Sequence, residues 1–448
     1  MSLTRALAEA LHAVTYDDLD AFTIRAVKVC LADGLACMVA GRGEDDGAEA
    51  LIRHATSMAP GNCSVIGEGG GYLPGAAALA NGALAHVLDF EDTFEEGKIH
   101  PNASVIPTVL ALAQHFGSDG RSMIAALAVG CEVACRLSLA LRGDPARRGW
   151  YHPPMLSGIG AAAAGAHLAG LSPIGIIDAI GLAACQFKLD DELKRSPASS
   201  LRAMRDGLAA RAAVEGVLMA KAVVRAVEEP LEGPSGLAMQ LTGLPLDHGA
   251  MLDGFGSSFH AASVGIKRWP SCRGTHGAIA AAQELLRSGV EADDIASIDA
   301  VVAPPNDMLF EPRAQRLRPQ TAIDAKFSVP FVFAAAMTHG SVGLGNFDEA
   351  ARNDQQVLDL AGKVKLTRVD DTMSGEGIYS ATLFGGRRVD VPVATLPVWR
   401  AGSIDPDDFQ AKLTACLERA RKPLTSHALR EAVDGLEMTG AETFAPLI

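Results

Sequence analysis

The chain reads as a mainly α protein, a large all-α helical body carrying a smaller α+β insert, and three observations predict this. The 448 residues are 48% hydrophobic but only 5% aromatic, and alanine supplies much of the apolar share, which suits helices packed closely through small side chains. From Leu3 to about Val227, apolar residues recur at helical spacing between short breakers. Beyond a stretch rich in Gly and Pro at 230–253, β-rich runs mix with helical ones. A chain of this length can bury a large core and form two or more domains.

The opening MSLTRALAEALHAV is amphipathic and lacks the apolar run of a signal peptide. Residues 17–39 have helical periodicity. Ser118-Asp119-Gly120 introduces a helix over 121–141, and Ser172-Pro173 provides an N-cap and first-turn proline for one through Gln186. The segment GIGAAAAGAHLAG (158–170) competes as a membrane span, but it holds His167, is followed by LSP and falls short of the usual ~20 apolar residues. It predicts instead a helix–helix interface where backbones approach closely. GEGGGYLPG (67–75) lacks the GxxxxGK[ST] pattern and a strand–GxGxxG–helix context, so it reads as a loop. After the break at EEPLEGPSG, residues 297–303, 363–369, 377–384 and 388–393 read as strands, whereas 277–287 and 329–338 read as helices. Helical signal returns after Pro406 and runs through Leu436, and no internal repeat is visible.

A net charge of −14 argues against broad nucleic-acid binding, which needs a basic footprint. Lys267, Arg268 and Arg273, with His276 beside them, form a local cationic cluster that is either an anion clamp or an ordinary solvated basic loop. Most of the eight cysteines lie in apolar helical stretches. Cys131 and Cys135 have no second pair at zinc-like spacing, so no metal site is expected. Reduced thiols and no export signal predict a cytoplasmic protein.

The most informative stretch is NGALAHVLDFEDTFEEGKIHPNASVIP (81–107), where five acids, two histidines, a lysine and a threonine interrupt apolar helix. Ionisable groups drawn toward a core must be paired or desolvated at a cost, so chemistry is a ready reason for keeping them. At helical spacing Asp89, Asp92 and Thr93 share one face and Glu91 points elsewhere. His100 precedes Pro101 at the entrance of a helix expected to begin near Ser104. A solvated acidic loop with a capping aspartate is the alternative.

LDFEDT followed by HPNASVIP resembles the LDFDDT…HPS signature of the MmgE/PrpD family, which includes 2-methylcitrate dehydratases, cis-aconitate decarboxylases and iminodisuccinate epimerases. YHPP (151–154), AARAAVEG (209–216), KRWPSCRGTH (267–276) and DAKFSVPF (324–331) match in the same order. The resemblance implies an all-α domain over 1–262, an α+β lid over 263–396, C-terminal helices at 397–448 packing back on the first domain, and a homodimer. It implies an active site in an interdomain cleft, with Asp89, His100, His152 and Lys267 as catalytic groups. Thr93, Arg205, Arg268, Cys272, Arg273 and His276 would bind substrate. The implied reaction is dehydration of a hydroxylated di- or tricarboxylate, such as a 2-methylcitrate-like acid, by proton abstraction next to a carboxylate, without cofactor or metal. Epimerisation of an amino- or imino-dicarboxylate and decarboxylation of the cis-aconitate type are the alternatives, and a non-catalytic binding protein is a further one. Two departures bear on this choice. Many relatives have TKPLHAG where this chain has MRDGLAA, so Arg205 replaces a lysine, and Cys272 stands where the decarboxylases have histidine. Arginine clamps a carboxylate but exchanges protons poorly.

Overall fold

A computed structural model of the chain describes residues 1–448 except 45–46, 195, 197–198, 303–305, 370–376, 395, 397–398 and 448. It divides into two compact units. The larger comprises Met1–Val87, Glu91–Ile266 and Trp399–Ile448, and the smaller Leu88–Phe90 and Lys267–Val398. The larger unit therefore continues through Ile266 and resumes at Trp399, where Gly265 and Ile266 pair antiparallel with Arg400 and Trp399.

The larger unit is helical. Its starts are set by the expected caps: Asp119 accepts the Ser122 N–H ahead of Gly120–Ala140, and Ser172 accepts the Gly175 N–H ahead of Pro173–Ala184. Asp20 does the same for Ala21–Ala40, which begins later than periodicity suggested because residues 16–18 form a separate short turn. Small residues permit close packing. A Cβ on Gly160, in Pro153–Leu168, would lie 2.4 Å from the Gly130 carbonyl oxygen, and one on Gly207, in Leu201–Lys221, would lie 2.2 Å from that of Leu79 in Pro74–His86. Gly120–Ala140 is long and apolar enough to cross a membrane, yet 89% of its apolar window is buried inside the protein, as a core helix would be. The C-terminal helices Pro406–Leu417 and Ser426–Asp434 belong to this unit, tied to it by the Lys412–Asp33 ion pair at 2.6 Å.

The smaller unit is built on a four-stranded sheet in the order Val364–Arg368, Ile295–Val302, Gly377–Leu383, Arg388–Val393. The first pair is parallel and the others antiparallel. The strand run expected to reach Ala303 ends at Val302, and Ala303 lies outside the described residues. Pro392 is accommodated because its strand is an edge. His276–Arg287 and Val329–His339 supply Ile279, Leu285, Phe331 and Phe333 to a core shared with Ile298 and Tyr379.

Candidate active site

Helix Pro74–His86 stops where the acidic stretch begins, and the helical face expected for Asp89, Asp92 and Thr93 does not form. Asp89 and Lys98 adopt left-handed φ values of 50° and 53°. Thr93 instead exchanges two main-chain hydrogen bonds with Gly265, each 2.7 Å, and Phe94 pairs with Ile99. These partners satisfy backbone groups that a helix would have bonded locally.

Glu91, expected to point away, is buried in the larger unit, with Oε1 2.5 Å from Nδ1 of His86. His100 Nδ1 lies 3.6 Å from the same carboxylate oxygen and 2.8 Å from the Asp92 carbonyl. The carbonyl can only accept, so the network assigns the proton to Nδ1 and leaves Nε2 as the basic nitrogen. Ser157 donates to the His100 carbonyl at 3.0 Å. The following helix is Asn102–Phe116, two residues earlier than expected, and Asn102 donates to Asp92 Oδ2 at 2.9 Å. Burial, with Glu91 and Asp33 nearby, pushes the Asp92 carboxyl up to about 8, so it is largely protonated at neutral pH.

His152 caps Pro153–Leu168, its carbonyl accepting the Met155 and Leu156 N–H groups at 3.0 and 3.1 Å. Burial holds its imidazole down at about 4, neutral over the ordinary pH range. Arg205 is 1% exposed rather than a surface charge. Its Nε donates to Asp206 at 3.1 Å, another guanidinium nitrogen donates to the Tyr151 hydroxyl, and the group lies over the Tyr151 ring 4.6 Å from the centroid. Asp206 also accepts from Ser104 at 3.1 Å.

In the smaller unit Lys267 is buried and ion-paired to Asp89, and it also donates to the Asp89 carbonyl at 3.1 Å. His276 begins its helix, buried and edge-on to Trp269 at 5.1 Å. Burial, reinforced by the Arg273 and Lys267 charges, holds it well below the usual imidazole range. Cys272 is half-buried, its N–H bonded to the Lys326 carbonyl at 3.0 Å, while Arg268 is exposed and stacks over Trp269. The cationic cluster is thus divided between a buried ion pair at Lys267 and a surface side chain at Arg268.

The structure brings Asp89 to Lys267 across 178 positions and sets His100 beside Glu91 and His86. Arg205 is joined to Tyr151 and Asp206. Asp206 and Tyr151 were not singled out from sequence; His86 and Glu91 stood within the acidic stretch, Glu91 read as pointing away. Tyr151 stands inside the YHPP motif and Asp206 directly follows Arg205, so adjacency was the available signal. Within the larger unit, the groups offer a neutral imidazole at His152, a protonated carboxyl at Asp92 and a fixed donor at Arg205, a repertoire suited to moving a proton on a carbon acid.

Residues 5–246 match the MmgE/PrpD N-terminal domain and residues 269–436 the MmgE/PrpD C-terminal domain. The chain is similar to the cis-aconitate decarboxylase-like protein oryM of Aspergillus oryzae, 26% identical over 365 residues, which cover 77% of this chain and 75% of that one. It is 27% identical over 371 residues to a cis-aconitate decarboxylase of Aspergillus terreus, covering 78% and 74%. The mouse cis-aconitate decarboxylase is 25% identical over 383 residues, covering 83% and 76%.

Proposed function

The chain belongs to the MmgE/PrpD family, and from that premise we propose that it is a lyase acting on a di- or tricarboxylate by proton transfer at the carbon beside a carboxylate. The observation that carries this reading is His100: its Nδ1 is held by the Asp92 carbonyl, its side chain is the partly exposed member of an otherwise buried acid–imidazole group, and its Nε2 is the nitrogen left to take a proton. His152, kept neutral by burial, is the second proton-transfer group. The proposed reaction is dehydration of a hydroxylated substrate, such as a 2-methylcitrate-like acid. A second reading, decarboxylation of cis-aconitate, is favoured by the names of the relatives. Both run without a metal or added cofactor in this proposal.

Proton NMR in D₂O with citrate, 2-methylcitrate, cis-aconitate and amino- or imino-dicarboxylates, on chelator-treated protein, tests the proposal. Alkene formation with loss of the hydroxyl supports dehydration, and deuterium enters the remaining substrate where the proton abstraction reverses. Incorporation with loss of a carboxyl moves the assignment to decarboxylation, and incorporation into an unchanged skeleton moves it to epimerisation. The absence of both turnover and exchange across the panel, or activity that vanishes with chelation and returns with a metal, removes the proposal as stated. His100→Gln is expected to lower turnover by roughly 10²–10⁴-fold with folding intact.

A further inference from the structure

Three buried side chains of the helical unit lead to His100. Asp206 Oδ2 lies 3.7 Å from His86 Nδ1, and Glu91 Oε1 lies 2.5 Å from that nitrogen and 3.6 Å from Nδ1 of His100. Side-chain exposure is 2% for Asp206, 0% for His86, 1% for Glu91 and 17% for His100, so the last member alone reaches outward. The inner end is fixed from outside. Arg205 and Ser104 both hold Asp206 at 3.1 Å, and the two imidazole rings sit 5.7 Å apart at 43°. The His86 N–H can be given to one acceptor at a time, and Glu91 is nearer than Asp206 by more than 1 Å.

From this geometry we infer that Glu91 is a positioning residue for His100, with His86 and Asp206 holding its carboxylate in place. A carboxylate fixed beside Nδ1 favours the tautomer protonated there and stabilises the imidazolium that forms when Nε2 takes a proton. The charge is effective because burial excludes the water that would screen it. Ionisable groups near the line include Asp89, whose carboxylate lies within 4.8 Å of a ring nitrogen of His86 and a carboxylate oxygen of Glu91 and is paired with Lys267, Asp92, on the same loop, and Arg205, beside Asp206. Asp92 is largely protonated at neutral pH and contributes little charge there, and Arg205 is offset by its own contact with Asp206. Among the described residues of the line, His100 carries the exposed surface and is the member placed to meet a substrate. Catalytic use of the relay rests on the reading of His100 given above, but its effect on the imidazole does not.

The experiment is ¹⁵N–¹H NMR of histidine-labelled full-length protein without substrate, with His100 assigned by His100→Gln. In the wild type the neutral His100 ring is expected as the Nδ1–H tautomer. In Glu91→Gln its titration midpoint is expected to fall by about 1–2 pH units, with Glu91→Asp recovering part of the shift. A wild-type ring protonated on Nε2 overturns the inference even if Glu91→Gln does not fold. So does a folded Glu91→Gln whose His100 midpoint matches the wild type. On any substrate found to turn over, the variant should lose about 10- to 100-fold in kcat with KM within a few-fold, and the acid limb of its pH profile should move with the NMR midpoint. An NMR shift without loss of turnover upholds the relay while removing His100 from the proposed chemistry, so the two claims fail separately.

Discussion

Gly207→Ala puts the close packing behind the candidate site to the test. The new Cβ would stand 2.2 Å from the Leu79 carbonyl oxygen and 2.8 Å from the Ala83 nitrogen, both backbone atoms of Pro74–His86 that no rotamer change can clear. Ordinary contact begins near 3.4 Å, so the two helices must separate by about 1.2 Å. Overpacking of this kind costs about 1–3 kcal/mol, and the upper end applies because main chain must move. At roughly 2–4 °C per kcal/mol for a domain of 150–250 residues, 3 kcal/mol corresponds to a fall of about 6–12 °C in melting temperature. The displacement has a second consequence. Asp206 directly precedes Gly207, and His86 ends the displaced helix, so their 3.7 Å approach changes by a similar amount. A misplacement of about 1 Å can cost on the order of 100-fold in rate. Differential scanning fluorimetry and the deuterium-exchange assay read the two effects, with Gly362→Ala as a control because a Cβ there meets nothing within 4 Å. A Gly207→Ala protein that melts and turns over like the wild type would refute the packing argument.

The unfolded chain protonates His152 near 6.5 but the folded protein only near 4, so its contribution is full above pH 6.5 and is lost as the pH falls through 6.5 to 4; about 1–3 kcal/mol is expected after allowing for partial exposure, and denaturant melts of wild type and His152→Gln should converge across that window. Asp92 has the opposite sign: its folded carboxyl titrates near 8 rather than 3.8, so stability declines as pH rises between those values. Asp92→Asn, which can keep the bond to Asn102, should match the wild type at pH 4 and exceed it at pH 8 in urea titrations; a less stable variant at pH 8 would show that the carboxylate is stabilised in place. Lys267→Met strands Asp89 in the interior of the smaller unit and should cost about 3–5 kcal/mol, most of it recovered in the double variant with Asp89→Asn; additive losses would mean that the pair is not coupled.

The helical body was legible because its signals are local. Asp119 and Ser172 sit beside the N–H groups they cap, and the small residues of GIGAAAAGAHLAG mark a close helix contact at Gly160. The strands at 377–383 and 388–393 were legible for the same reason, through alternation and short turns. The stretch after His86 was misread because its partners are remote. Thr93 bonds Gly265 and Asp89 bonds Lys267, both more than 170 positions away, and no periodicity within a local window records that. Glu91 was set aside on the assumption of helical spacing, and once the helix ends its side chain can turn back to His86. Arg205 carried no mark of burial in MRDGLAARAA, where Arg211 stands six residues on in the same helical stretch. The adjacent Gly207, which the helix contact needs, was the one hint that this face lies inside.

The sequence suggested that a chain of net charge −14 would need a concentration of cations to hold an acidic substrate. The structure distributes its buried cations differently. Lys267 is paired with Asp89, Lys412 with Asp33, Arg136 with Glu132 and Arg205 with Asp206, each within its own unit. A desolvated ion pair is close to neutral from a distance, so these side chains do little to draw an anion in from solvent. Their value lies at short range, where a pair fixed by burial presents an oriented dipole that need not reorganise as charge develops on a reacting carbon. In the proposed mechanism, then, affinity for the polycarboxylate depends on groups nearer the surface, whereas the Arg205–Asp206 pair helps to hold His86 behind the histidine that acts on it.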